Sequence, residues 1–346
     1  MDLITHVLIA YLVTLGLVGF HVQYLAAGAL AGGLPDADAL LFPLARRWPI
    51  LSHRGITHSF LGITVIALGG ALIAPLILPG SVLIYFAVFL LGGALHILLD
   101  GFTNYSVPPL LPFSRRRVAF DAERAVNFFV LIFSVVSMYV LLGVERNVVA
   151  LDIYWASVYF LGAFFALYLG LRLGARLWLG RNARAYGAFD YIVPTENPFV
   201  WFLFGESREG DRLHRSLGRY VVGRGLQGPY TLDLPVAAPT PGSSAPIESA
   251  AAALERSYPL LAREPAGRFG RMAEETHMFA RADRTAEGGW IARWYSIEFG
   301  MLGRWMTIEV SFPPGDVPPK IDRAFRRIVM PWSDPASSGP QRATAP

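Results

Sequence analysis

Four long apolar stretches, at approximately 58–78, 81–100, 126–144 and 153–173, limit this chain more than any other feature. Each is near the roughly 20 residues that a helix needs to cross the hydrocarbon core of a bilayer. Inside lipid the backbone must satisfy its own hydrogen bonds, so stretches of this kind fold as helices. Composition agrees: 53% of the residues are hydrophobic and only 16% are charged, against roughly a quarter charged in a soluble domain. The opening apolar region, about 3–34, is too long for one span and is interrupted by Gly16, Gly19, His21 and Gln23. We read it as a hairpin of two short helices. The first half is thus expected to be an all-α polytopic membrane bundle of about six apolar segments. Its start lacks the basic residues and small-residue cleavage site of a removable signal peptide.

Arginine placement sets the expected orientation. Arg46, Arg47 and Arg54 fall in one loop, Arg115, Arg116, Arg117 and Arg124 in another, and Arg172, Arg176, Arg181 and Arg184 follow the last stretch. The turns between carry only Arg146, beside Glu145 and Asp152. By the positive-inside rule the arginine-rich segments face the cytoplasm, which makes this a multi-pass cell-membrane protein. The basic residues serve that topology and the bilayer surface, so no nucleic-acid partner is expected.

After residue 184 the pattern changes. Tyr191–Val193, Val200–Phe204, Tyr220–Val222 and Tyr230–Leu234 read as short strands, 246–262 as a helix, and 275–282, 290–299 and 304–312 as a strand meander with a Glu287-Gly-Gly289 turn. We therefore expect three parts. Residues 1–184 form the membrane domain, 185–312 a small α+β soluble domain in the cytoplasm, and 313–346 a Pro/Ser-rich tail with a disordered end.

The chain has no cysteine, which excludes disulfides, thiolate ligands and a thiol nucleophile. Its histidines and aspartates cluster instead at the ends of apolar segments: Leu34-Pro-Asp-Ala-Asp38, Ser52-His-Arg-Gly-Ile-Thr-His-Ser59 and His96-Ile-Leu-Leu-Asp100. Ionisable groups are costly near the membrane unless paired or bound to an ion. Taken singly, each has a plain reading. His6 alone on an apolar helix suits a packed core histidine, and Asp36 and Asp38 suit a solvated loop. His53 and His58 bracket an Arg54-Gly55 turn, with Thr57 able to cap the next helix. His96 and Asp100, four apart, share one helix face, which suits either an ion or a membrane exit. Thr103 and Asn104 suit a ligand contact or an ordinary helix stop. His21 suits a polar residue of the hairpin turn on the far side, and His214 and His277, in the soluble domain without partners at ligand spacing, suit surface positions.

Taken together, four histidines and three aspartates fall on one membrane face. Their donors are nitrogen and oxygen, which suit zinc first, with manganese or iron(II) as alternatives. The set is large enough for one or two divalent ions. We expect His6, Asp36, His53, His58, His96 and Asp100 as metal ligands, Asp38 as a further ligand or a base, and Arg54 as a charge for a developing oxyanion.

His6, LPDAD at 34–38, SHRGITHS at 52–59 and GALHILLDGFTNYSVPPLLP at 93–112 resemble the YdjM/YfhP-type family of membrane-bound predicted metal-dependent hydrolases. YIVPTENPFVWF at 191–202 is similar to the fused C-terminal domain of the YfhP branch. More distantly, the order of histidines and aspartates is similar to that of zinc-dependent phospholipases C and single-strand nucleases. The resemblance implies a hydrolase, and the distant one a phosphoester substrate, such as a phospholipid head group reached from the bilayer. The alternative expectation is a non-enzymatic membrane protein, with a structural metal and a partner-binding cytoplasmic domain.

Overall fold

A computed structural model of the chain describes residues 1–41, 48–51, 54–146, 151–187, 189–210, 212–235, 247–263, 278–301, 304–315 and 317–327. The chain divides into two units, Met1–Arg176 and Leu177–Pro346.

The first unit is helical. Helix α1 (Leu3–Val18) is capped by Asp2, whose side chain accepts the Thr5 N–H at 2.9 Å, and it stops at Gly19, whose φ of 70° suits glycine. Helix α2 (Val22–Gly33) turns back along it, so the opening segment is a hairpin. Gly32 shows how close the return is: a Cβ there would lie 2.6 Å from the His6 carbonyl oxygen. A 3₁₀ turn, Leu34–Leu41, follows. Helices α3 (Phe60–Ile77) and α4 (Val82–Phe102) form a second antiparallel pair, with α4 also packed on α1 and α2. Helices α5 (Phe128–Arg146) and α6 (Leu151–Asn182) complete the set.

Among the described residues three helices are long and apolar enough to cross a membrane: Phe60–Ile77, Val82–Phe102 and Tyr154–Tyr186. That is fewer than the six expected. Helices α1 and α2 turn back after 16 and 12 residues, and the apolar part of α5 is the short Phe128–Gly143, below the roughly 20 residues of a full span. Lipid-facing surface is plentiful on α3 and α4, where Leu72, Ile73, Leu76, Ile77 and Leu83 are exposed.

Three of the arginines read as loop charges are interior. Arg54, Arg124 and Arg172 are buried, and Arg172 is ion-paired to Glu123 at 3.0 Å. A cation buried inside the protein carries no information about sidedness, so the orientation signal rests on the exposed Arg115, Arg116, Arg117, Arg181 and Arg184.

The second unit holds two four-stranded antiparallel meanders. The first contains β1 (Tyr191–Pro194), β2 (Val200–Glu209), β3 (Arg212–Val221) and β4 (Gly225–Pro235). The second contains β5 (Met278–Arg284), β6 (Trp290–Met301), β7 (Arg304–Phe312) and β8 (Lys320–Arg327). Helix α7 (Ala250–Arg263) joins them, and Phe204, Leu217, Leu254, Trp294 and Val310 meet in one apolar core.

Two strands depart furthest from the sequence expectation. Strand β3 begins at Arg212, well before Tyr220. Its inward positions alternate Leu213, Arg215, Leu217, and the buried Arg215 hides the apolar period while bonding Glu206 at 2.8 Å and the Met278 carbonyl at 3.2 Å. Strand β8 lies inside the stretch expected as tail. Val310 pairs with Ile321 and Met306 with Phe325, and four basic side chains around those two apolar ones mask the strand in sequence. The expected disordered end lies outside the described residues.

Candidate metal centre

Four donors converge at the end of α4. His96 and Asp100 are one helical turn apart on α4, Asp36 comes from the 3₁₀ turn after α2, and His58 ends the short 3₁₀ turn Ile56–His58. That turn is fixed by Ser59, which caps α3 by accepting the Gly62 N–H at 3.1 Å. Ser59, and not Thr57, is therefore the cap, and His58 precedes the helix.

The facing atoms are Asp36 Oδ1, His58 Nε2, His96 Nε2 and Asp100 Oδ2. Separations from His58 Nε2 are 3.1 Å to His96 Nε2, 3.5 Å to Asp36 and 3.5 Å to Asp100. From His96 Nε2 they are 3.6 Å to Asp36 and 3.8 Å to Asp100. A tetrahedral zinc with bonds of 2.0–2.1 Å sets its ligands about 3.3 Å apart, so these edges are close to the size of one ion's shell.

The ring protons supply a stricter fit. His96 Nδ1 donates to the Gly32 carbonyl at 2.7 Å, so its Nε2 faces the centre as a lone pair when the ring is neutral. Thr57 Oγ1 gives its one proton to Asp38 Oδ2 at 2.6 Å, so His58 Nδ1 must donate, toward Thr57 Oγ1 at 3.1 Å and Asp38 Oδ2 at 3.2 Å. Its Nε2 then faces the centre as well. Two imidazole lone pairs at 3.1 Å, with a buried Asp100 Oδ2 that has no hydrogen-bond partner, are a set that could hold a metal ion. Backbone carbonyl and carboxylate partners on the distal nitrogens are the usual support of metal-ligating histidines.

The same arrangement explains the acid–base behaviour at the rim. Burial works against protonation of His58, but hydrogen bonds to Asp36 and Asp38 outweigh it and lift its pKa above the ordinary histidine value. Burial pushes Asp36 up, but the hydrogen bond to His58 and the nearby histidines bring it net below its ordinary carboxylate value. A proton on His58 Nε2 thus takes the place that a bound cation would fill.

The remaining expected residues surround these four. His6 Nε2 lies 3.2 Å from the other oxygen of Asp100, Oδ1, and its ring stacks on His96 with centroids 3.8 Å apart. The Met1 amino group also contacts Asp100 Oδ1. Arg54 is buried and takes φ 59°, a left-handed conformation that a non-glycine residue holds only when its surroundings enforce it. Here its N–H donates to Asp38 Oδ2 at 3.1 Å, and its guanidinium donates to Asp100 Oδ1 at 3.0 Å and the Tyr105 carbonyl at 2.9 Å. His53 lies outside the described residues.

Thr103 Oγ1 donates to the Asp100 carbonyl at the helix stop, and Asn104 Oδ1 accepts the Ala125 N–H, which ties the chain after the helix to the later loop. His214 contacts Asp233 across a strand pair in the second unit, His21 is exposed at the start of α2, and His277 is outside the described residues. Sequence reasoning missed Thr57 as the partner of Asp38, and Gly32 as the partner of His96. No residue type signals a backbone acceptor, whereas Thr57 beside His58 offered a weak hint.

Residues 1–178 match the family described as YdjM inner membrane protein. The chain belongs to that family. The match covers the helical unit and every donor of the centre. Comparison with curated proteins and with solved structures gave no match.

Proposed function

We propose that this YdjM-family protein is a metal-dependent hydrolase that acts on a phosphoester at the cytoplasmic face of the membrane. The observation that carries the reading is the unequal burial of the four donors. The side chains of His58, His96 and Asp100 have no exposure, whereas Asp36 keeps 19%. Solvent and substrate therefore have one side of approach, past Asp36.

Asp36, His58, His96 and Asp100 would hold the ion, which supplies Lewis acidity and activates water when bound. Zinc suits the nitrogen and oxygen donors. Asp38 and Gly32 orient the two imidazoles. Because Asp38 Oδ2 already accepts from Arg54, Thr57 and His58, its proposed role is positioning, in place of the base expected from sequence. Arg54 holds a positive charge beside Asp100, where it would favour an anionic group. The exposed arginines support the cytoplasmic orientation of the centre and of the soluble domain.

A second reading has its own observation. Four protein donors at tetrahedral spacing fill a zinc shell, which is the mark of a structural ion. In that case the membrane domain is stapled by its metal and the soluble domain binds a partner. Release of phosphate or alcohol from a phosphoester panel by purified protein in lipid bicelles separates the two. The hydrolase reading requires activity that disappears on chelation, returns with zinc and is absent in His96→Ala. Metal-loaded protein that is inert across the panel supports the structural ion.

A further inference from the structure

Behind the metal-bearing face of α4 lies an apolar groove of about 310 Å³, at the lower end of the range for ligand sites. Ala94, Ile97, Leu98 and Gly101 form its floor, one stripe of α4 displaced by a single residue from His96 and Asp100. Val107 and Val118 form its wall. They belong to the loop after α4, where the two valines pair backbone to backbone at 2.8 and 3.0 Å, and the Pro109 carbonyl accepts the Phe60 N–H at 2.9 Å to hold the loop on α3.

The same loop presents a second, independent feature. Its tip exposes Leu110 and Phe113, the latter 85% accessible, and then three consecutive exposed arginines, Arg115 to Arg117. No acidic residue occurs from Gly101 to Phe120. Apolar side chains beside a basic run are what an anionic lipid interface attracts. Arg117 also ties the loop to the centre: it donates to Ser106 Oγ at 2.9 Å and the Ser106 carbonyl at 2.6 Å, next to Tyr105, whose carbonyl receives Arg54.

We propose that the groove is an acyl-chain subsite for an anionic phospholipid of the bilayer, with the head group held by Arg115–Arg117. The inference rests on the membrane-face reading above and extends it to a lipid-bound substrate or ligand. The chain enters between α4 and the Val107–Val118 wall, where the lining is apolar. The phosphate stays at the level of the arginines, on the side of the loop that leads to Arg54.

Photo-crosslinking in nanodiscs tests this without relying on hydrolysis. The full chain is reconstituted in phosphatidylcholine discs doped with phosphatidylglycerol bearing a diazirine in its acyl tail, and labelled peptides are mapped by mass spectrometry. Labels concentrated on residues 94–101 and 107–120 are expected. Tail-labelled phosphatidylcholine should label the same peptides more weakly, by about fivefold for each arginine that selects the anion. Ala94→Phe and Leu98→Trp fill the groove from its floor and its exposed side, and each should lose that labelling while keeping bound metal. Labels spread evenly over all lipid-facing helices, equal labelling by both lipids, or full labelling in metal-retaining groove variants would overturn the proposal. Metal-free wild type that still labels the groove would leave the subsite standing and count against the metal reading alone.

Discussion

His58 Nε2 and His96 Nε2 face each other at 3.1 Å while the Nδ1 of each ring is engaged on its far side, by Asp38 and by the Gly32 carbonyl. Each histidine comes from a different element, and a partner outside the centre turns its lone pair inward. The arrangement makes Asp38 a residue that acts through another. Asp38→Asn should keep the fold and weaken metal affinity by roughly 10- to 100-fold, as loss of an outer partner generally does. Competition against a fluorescent zinc chelator reads the change, and an unaltered affinity would show that Asp38 does not orient His58.

On the proposed reading, protons and metal compete for His58. Its folded pKa is raised above the ordinary value of about 6.5, the net result of Asp36 and Asp38 outweighing burial. A raised folded pKa means that protonation stabilises the metal-free fold fully below that ordinary value, and that the contribution is lost as pH rises through the folded value. Metal-free protein should therefore lose thermal stability across this window, and the stabilisation given by added zinc should grow over the same range. Melting curves with and without zinc, taken at a series of pH values, check both. A zinc shift that shrinks as pH rises would contradict the assignment.

A buried ion pair stands apart from the centre. Arg172 on α6 meets Glu123 at 3.0 Å, and Glu123 also accepts from Tyr168 and Asn127. Removing one partner strands a buried charge, at a cost of about 3–5 kcal/mol. Arg172→Met should thus lower the melting temperature in detergent strongly, and Glu123→Leu with Arg172→Leu together should lower it less than the single change. Equal loss in both proteins would show that the pair is not the source of the effect.

Much of the centre is legible in sequence because helical spacing is local information. His96 and Asp100 lie four apart in an apolar run, which places them on one face before any fold is known. The hairpin of α1 and α2 follows likewise from Gly19 and the excess length of the opening stretch. What is not legible is long-range. Arg54 reads as a loop charge until the fold buries it against Asp100, and Thr57 reads as a cap until Asp38, nineteen residues earlier, arrives beside it. In the second unit, strand β3 is obscured by a buried Arg215 that breaks the apolar alternation, and β8 by its basic residues.

Orientation is testable directly, since the chain contains no cysteine. A single cysteine at the exposed Ser207 on β2 should resist a membrane-impermeant thiol reagent in intact cells and react after lysis. A cysteine at Gln23, near the hairpin turn, should react in intact cells. Labelling of Ser207→Cys before lysis would reverse the proposed sidedness of the soluble domain.

The central claim is that Asp36, His58, His96 and Asp100 hold one metal ion. Metal content of the purified protein, measured by mass spectrometry alongside His58→Ala and His96→Ala, tests it most directly. The account predicts close to one equivalent of zinc, manganese or iron in wild type and a small fraction of it in each variant, with all three proteins folded. A folded wild type without bound metal, or two variants that keep the full equivalent, would contradict it.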